Sequence, residues 1–229
     1  MNKVAIYHFT DKSEKRPVVN EKQMVLLRNF AAGYGTVEKE YLDKSLKKCE
    51  QEEKKKLIQE IGEYDILVTK DFYHISKNTG TCIGFLQRLL SVGVQTHSIE
   101  DGSFVFTDVP FNKELNIAIY HSKYIDNAPS ANKWKRGNEI TVQTQLEIMG
   151  LFIKQKTKWK IADIYVDEAQ GQSDAKQVKL LELIKNNEKY DLVLCKNFNN
   201  IHWRTAKFCE RRNDMKLDIF SLREGYLKY

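Results

Sequence analysis

The chain has 229 residues, 41% of them hydrophobic and 30% charged. That balance excludes a disordered or fibrous protein and leaves one or two globular domains. No apolar run approaches the roughly 18 residues of a membrane span and no leader pattern opens the chain, so a soluble, cytoplasmic protein is expected. Cys49, Cys82, Cys195 and Cys209 have neither CxxC nor zinc-finger spacing and read as reduced thiols. The net charge of +6 is uneven: residues 1–114 carry 17 Lys+Arg against 17 Asp+Glu, and residues 115–229 carry 20 against 14. A basic second half raises the case for a nucleic-acid partner only modestly.

Residues 3–9 form a short apolar strand, followed by a polar loop through Arg16 and Pro17. Residues 21–32 place Met24, Leu27, Phe30 and Ala31 on one helix face, and Gly33 and Gly35 stop that helix. Thr36–Asp43 is a second strand. Residues 50–62 form a charged helix with a Leu57, Ile58 and Ile61 stripe, its lysines and glutamates paired at helical spacing. Tyr64 to Thr69 opens with an acid and runs through β-favouring residues, as a buried parallel strand does. Residues 79–91 give a helix with Ile83, Leu86, Leu89 and Leu90 inward, and Val94–Ile99 is a fourth strand. This β-α-β-α-β-α-β order predicts a mostly parallel sheet with helices on both faces. Residues 103–114, with Pro110, read as a linker.

The pattern then returns. Tyr64-Asp65-Ile66-Leu67-Val68-Thr69-Lys70-Asp71-Phe72 recurs at Tyr190, Ala5-Ile6-Tyr7-His8 at Ala118, Tyr41-Leu42-Asp43 at Tyr165, and Ser98-Ile99-Glu100-Asp101-Gly102 at Ser221. Four ordered matches at offsets of 126, 113, 124 and 123 imply two copies of one domain, with insertions and deletions taken up in loops.

Together these motifs, with Gln23 and Gln145 leading the first helix of each copy, resemble the catalytic domain of the serine recombinases (resolvases and invertases). The resemblance implies two tandem resolvase-like, Rossmann-like α/β domains, each a mostly parallel sheet of four or five strands. They would span residues 1–107 and 115–229, with a linker at 108–114. It also implies a chemistry, in which a serine hydroxyl attacks a DNA phosphodiester while arginines neutralise the transition state. The serine belongs four residues after the first-strand tyrosine and an arginine two after it. Those places hold Asp11 and Phe9 in the first copy, and Tyr124 and Ser122 in the second. The Asp-Arg-x-x-Arg expected after the central strand is Tyr73, His74 and Lys77, then Asn199, Asn200 and Trp203. Losing one oriented donor typically costs about 10²–10³ in rate, so the recombinase chemistry is expected to be absent. Ser13 is a weak substitute nucleophile, with His8, His74 and Lys77 as its helpers. A loop serine and a structural histidine are the plainer readings.

Basic residues interleaved with tryptophan are candidate nucleic-acid contacts: Lys133, Trp134, Lys135 and Arg136, then Lys156, Lys158, Trp159 and Lys160 at the end of a helix. Arg204, Lys207, Arg211 and Arg212 would form a further basic helix face. The plainer readings are lysines answering a helix dipole, Trp159 packing beneath them, and a solvated surface. No phosphate-binding glycine fingerprint or metal-ligand spacing is present, so no cofactor and no metal are expected. Three classes of function remain. The chain is a catalytically dead recombinase relative associated with DNA or with an active recombinase, a protein-interaction module imitating a dimer, or an enzyme with altered catalytic residues.

Overall fold

The computed structural model describes residues 1–9, 17–43, 51–108, 110, 112–122, 142–168 and 174–229, the side chains of 17–20 and 174 excepted. The chain divides into two compact units, Met1–Phe104 with Arg204–Cys209, and Val105–Trp203 with Glu210–Tyr229.

The first unit contains β1 (Lys3–Phe9), α1 (Pro17–Ala32), β2 (Thr36–Asp43), α2 (Glu52–Glu60), β3 (Ile66–Thr69), α3 (Thr79–Ser91), β4 (Gln95–Ser98) and β5 (Gly102–Ser103). Its sheet runs β2-β1-β3-β4-β5, parallel except for the last strand. Alternate residues of a strand face opposite sides. Val4, Ile6, Ile66 and Val68 therefore share one face, where Met24, Leu27 and Ala31 of α1 cover them. The opposite face carries Tyr7, and Lys54 of α2 and Phe85 of α3 lie there, with Lys54 Nζ 5.9 Å from the Tyr7 ring and 5.3 Å from the Phe85 ring. Both faces are thus covered, which is why β3 is buried throughout.

The second sheet has six strands instead of four or five. β6 (Val105–Thr107), β7 (Leu115–Ser122), β8 (Trp159–Asp167), β9 (Leu192–Cys195), β10 (Asp218–Ser221) and β11 (Gly225–Lys228) stand in the order β6-β11-β10-β9-β7-β8. The helices α4 (Val142–Lys154), α5 (Val178–Lys185) and α6 (Thr205–Met215) connect them. β7, β8, β9 and β10 are parallel, while β11 and β6 are antiparallel. The added strand is Val-Phe-Thr, residues expected at the end of the first copy and its linker. They are β-favouring, and Tyr226 pairs with Thr107 and Lys228 with Val105.

The recurrence in sequence extends to hydrogen bonds. Asp43 accepts the Tyr7 hydroxyl at 3.0 Å and the backbone N–H groups of Glu53 and Lys54 at 3.0 and 3.1 Å. Asp167 does the same for Tyr120, Lys179 and Leu180 at 3.0, 2.9 and 3.1 Å. Asp65 accepts Lys3 N–H at 2.8 Å, and Asp191 accepts Asn116 N–H at 2.8 Å. Tyr41 meets Tyr64 at 2.8 Å, and Tyr165 meets Tyr190 at 2.6 Å. Each second strand also carries a bulge at the matching place, Glu38 in β2 opposite Val4/Ala5 and Ala162 in β8 opposite Ile117/Ala118. The turns after β4 and β10 end on Gly102 and Gly225 with φ of 70° and 93°, a left-handed conformation that an L side chain strains to adopt.

Both edge strands, β2 and β8, mix charge with exposed apolar side chains, Leu42 in the first and Lys160 and Asp163 among the isoleucines of the second. Beside β2, Arg28 makes a bidentate pair with Glu40 at 2.6 and 2.9 Å, and Lys39 meets Glu60 at 2.5 Å. Beside β8, the exposed residues include Ile148, Leu151, Ile161 and Ile164.

Asp167→Ala removes a buried acceptor from three donors at once. It is expected to destabilise the protein by about 2–4 kcal/mol, read as a lower urea midpoint. A midpoint within error of the parent would contradict this role.

Candidate functional site

In a parallel α/β sheet, functional side chains gather beyond the carboxyl ends of the strands. In the first unit, β3 ends at Thr69, and Asp71 caps the single 3-10 turn Phe72–His74 by accepting His74 N–H at 2.9 Å. Asp71 Oδ1 also lies 2.7 Å from His74 Nδ1. Asp101 holds the same turn by accepting Phe72 N–H at 2.7 Å. The turn carries the His74 ring to 4.7 Å from His8 at an interplanar angle of 18°, and to 4.4 Å from Phe9. Tyr73 lies 6.1 Å from Phe9, and Lys77 Nζ lies 5.5 Å from the Tyr73 ring. Four mapped positions, Phe9, Tyr73, His74 and Lys77, therefore stand together at the ends of β1 and β3.

The electrostatics there disfavour added charge. His8 is 1% exposed, and neither ring nitrogen has a hydrogen-bond partner among the described residues. Burial, then the neighbouring His74 and Lys70, push its pKa down to about 4; Asp71 and the nearby Gln23 amide pull weakly the other way. Burial works to raise the Asp71 carboxyl, but the His74 hydrogen bonds and charge outweigh it and hold the carboxyl below its ordinary range. Burial raises Asp101, against the opposing Phe72 N–H bond. Arg28 and Arg88 are occupied elsewhere, Arg28 by Glu40 and Arg88 by the Gly84 carbonyl at 3.3 Å.

The second unit fills the same strand ends differently. Ser122 Oγ donates to the Asn200 carbonyl at 2.7 Å, and Asn200 Nδ2 donates to the Ser122 carbonyl at 3.1 Å. Asn197 accepts Asn200 N–H and Asn200 Oδ1 accepts Asn197 N–H, both at 3.1 Å. The Ser122 hydroxyl is buried and bound to a carbonyl, where a nucleophile needs a base and an open approach. Burial, then Lys196, lower the His121 pKa. Asn199 and Trp203 are half-buried. Glu224 occupies the place of Asp101 and accepts Phe198 N–H at 3.1 Å.

Asp11, Ser13, Tyr124, Lys133, Trp134, Lys135 and Arg136 lie outside the described residues. Of the remaining basic candidates, Lys158, Lys160 and Arg204 are exposed, and Lys156 and Lys207 half-buried. Several of these positions differ from expectation, and Lys156 and Lys158 lie beyond the end of α4. Trp159 and Lys160 open β8 instead of ending a helix, and Trp159 is buried with its ring 6.1 Å from Phe152 and 6.2 Å from Phe220. At 5% exposure the ring cannot stack on a base. Arg211 and Arg212 are 5% and 6% exposed, because they share the inward stripe of α6 with Phe208 and Met215 at helical spacing. Arg211 Nη1 lies 3.6 Å from Asp214, and Arg212 donates to the Lys228 carbonyl at 3.1 Å. Among the described residues, no three His, Cys, Asp or Glu side chains gather as metal ligands, and no helix is long and apolar enough to cross a membrane.

Sequence reasoning missed the side-chain donors beneath these turns, half-buried Lys54 and buried Gln177. Lys54 Nζ donates to the Ile75 carbonyl, and Gln177 Nε2 donates to the Ile201 carbonyl at 2.6 Å. The recurrence of Ile75 as Ile201 was the available signal, but the donors come from different helix positions.

No protein-family model matches the chain, and no curated protein sequence does. Among solved structures, a resolvase-family site-specific recombinase from Streptococcus pneumoniae is similar at 19% identity and TM-score 0.39, over 44% of this chain and 74% of that one. The N-terminal catalytic domain of TP901-1 integrase is similar at 20% identity and TM-score 0.39, over 44% and 79%. A periplasmic ribose transporter protein from Conexibacter woesei is similar at 11% identity and TM-score 0.30, over 87% and 65%.

A histidine whose folded pKa lies below its unfolded value of about 6.5 leaves the unfolded chain holding more protons between those values. The stability it allows is intact above pH of about 6.5 and is lost as the pH falls toward the folded value. His8→Leu is expected to flatten this acid limb by up to about 3 kcal/mol, measured by urea unfolding across the pH series. Parallel profiles for variant and parent would sink the assignment.

Proposed function

We propose that the chain is a serine-recombinase-like protein, built from two copies of one domain, that has given up strand cleavage and associates with DNA. One observation carries the reading. The positions where the resemblance calls for Arg, Asp, Arg and Arg converge at one set of strand ends, and there they hold Phe9, Tyr73, His74 and Lys77. Phosphoryl transfer depends on fixed cations around the transferring group, and a lysine lacks the planar fork of an arginine. The matched hydrogen bonds of Asp43 and Asp167, and of Asp65 and Asp191, support the duplication.

Mixed with supercoiled and linear duplex DNA, the protein is expected to give salt-sensitive retardation without nicks and without a detergent-resistant adduct. An adduct that disappears in Ser13→Ala would overturn the loss of chemistry. Absence of retardation at low salt would overturn the DNA association. The exposed Ile148, Leu151, Ile161 and Ile164 beside β8 favour a second reading, in which the partner is a protein, because apolar side chains along a sheet edge invite association. Recovery of a recombinase with the tagged protein from its native host, with no DNA retardation, would select that reading.

A further inference from the structure

The segment from the last residue of α4, through the turn, to the start of β8 carries Lys154, Lys156, Lys158 and Lys160 within seven residues. Lys154, Lys158 and Lys160 are exposed and form no ion pair among the described residues. Lys156 is half-buried, with Nζ 5.0 Å from the Phe152 ring. The backbone beneath them is tied down. Lys156 N–H donates to Ile153 O at 2.7 Å, Trp159 N–H to Lys156 O at 3.0 Å, and Leu115 N–H to Lys158 O at 3.2 Å. Trp159 anchors the turn from inside the core. Three exposed ammonium groups, with the half-buried Lys156 between them, thus stand on an ordered backbone, which lowers the cost of ordering a ligand on them.

The fold does not require these charges. The corresponding turn of the first unit, Ala32-Gly33-Tyr34-Gly35-Thr36, joins α1 to β2 without a charged residue. The helix dipole accounts for Lys154, at the last position of α4, but its field fades within a turn and does not account for Lys158 or Lys160. We propose that this turn is a platform for the phosphate backbone of nucleic acid. The proposal rests on the DNA-associated reading above and assigns the contact to a place. Trp159 pairs with Leu115, the first residue of β7, so the platform lies at the amino ends of the parallel strands. Ser122 ends the same eight-residue strand, on the order of 23 Å away at 3.3 Å per residue. Contact at this end positions a duplex without presenting a phosphodiester to the carboxyl-end residues, and backbone contact alone carries no sequence preference. A membrane surface fits less well, because the one aromatic in the turn is buried and cannot insert. A protein partner also fits less well, because lysine is depleted from protein interfaces.

The test is fluorescence anisotropy of the full chain with a short labelled duplex of arbitrary sequence, titrated at salt from about 50 to 200 mM. K154Q/K156Q/K158Q/K160Q is expected to weaken binding by about tenfold or more at low salt and to reduce the slope of log affinity against log salt by about 3–4. The quadruple Lys→Arg variant should keep the parent slope. K22Q/K55Q/K56Q/K113Q, which removes equal charge elsewhere, should lose far less affinity, with circular dichroism confirming the fold of each. Equal losses in the two glutamine variants would overturn the platform and leave the DNA reading standing. A parent that binds no duplex at low salt would overturn both. Binding to phosphatidylserine vesicles without duplex binding would also overturn both.

Discussion

A buried carboxylate at the end of the second strand holds each unit together. Asp43 and Asp167 end β2 and β8, and each joins three elements. The hydroxyl of Tyr7 or Tyr120 brings in the first strand, and two backbone N–H groups bring in the first turn of the next helix. Those N–H groups have no partner inside the helix, and the residue at each N-cap, Gln51 or Gln177, makes no side-chain cap. Capping is therefore supplied from the neighbouring strand. A carboxylate out of water is costly unless its oxygens are occupied, and three donors meet that cost here. Burial and the adjacent carboxylate push the Tyr7 and Tyr120 phenols far above their ordinary range, which keeps both as donors.

This arrangement ties β1 and β7 two residues before their ends, beside the place where the candidate side chains meet. In the first unit the meeting is aromatic, with His8, Phe9, Tyr73 and His74 in contact over one capped turn. In the second it is amide and hydroxyl, closed by the reciprocal bonds of Ser122 and Asn200. The two solutions share a backbone frame, in which Asp71 or Asn197 caps the turn and Asp101 or Glu224 holds it from the far side. The frame places side chains at a strand end, and the side chains decide the chemistry.

Much of this frame was legible in the sequence. Helix periodicity located α3 at Thr79–Ser91 residue for residue, and strand patterning located β1 and β2 at their observed bounds. The short strands β5 and β6 escaped, because two or three residues carry no period, and Pro110 drew attention to a linker. Charge also misled. The basic character of Arg211 and Arg212 suggests a surface, although their helical spacing from Phe208 and Met215 points inward. The Ser122–Asn200 closure joins residues 78 apart, and local pattern says nothing about such pairs.

The carbonyls of Ile75 and Ile201 show how the two units can differ inside a common frame. One is served by an ammonium from within α2, the other by an amide from the residue ahead of α5. Burial lowers the Lys54 pKa, while the Gln177 amide that takes its place among the described residues does not titrate. What persists is the acceptor's need for a proton, while the column that supplies it has moved by three residues. Matching the halves position by position sets Lys54 against Leu180 and records a mismatch where the physics is unchanged.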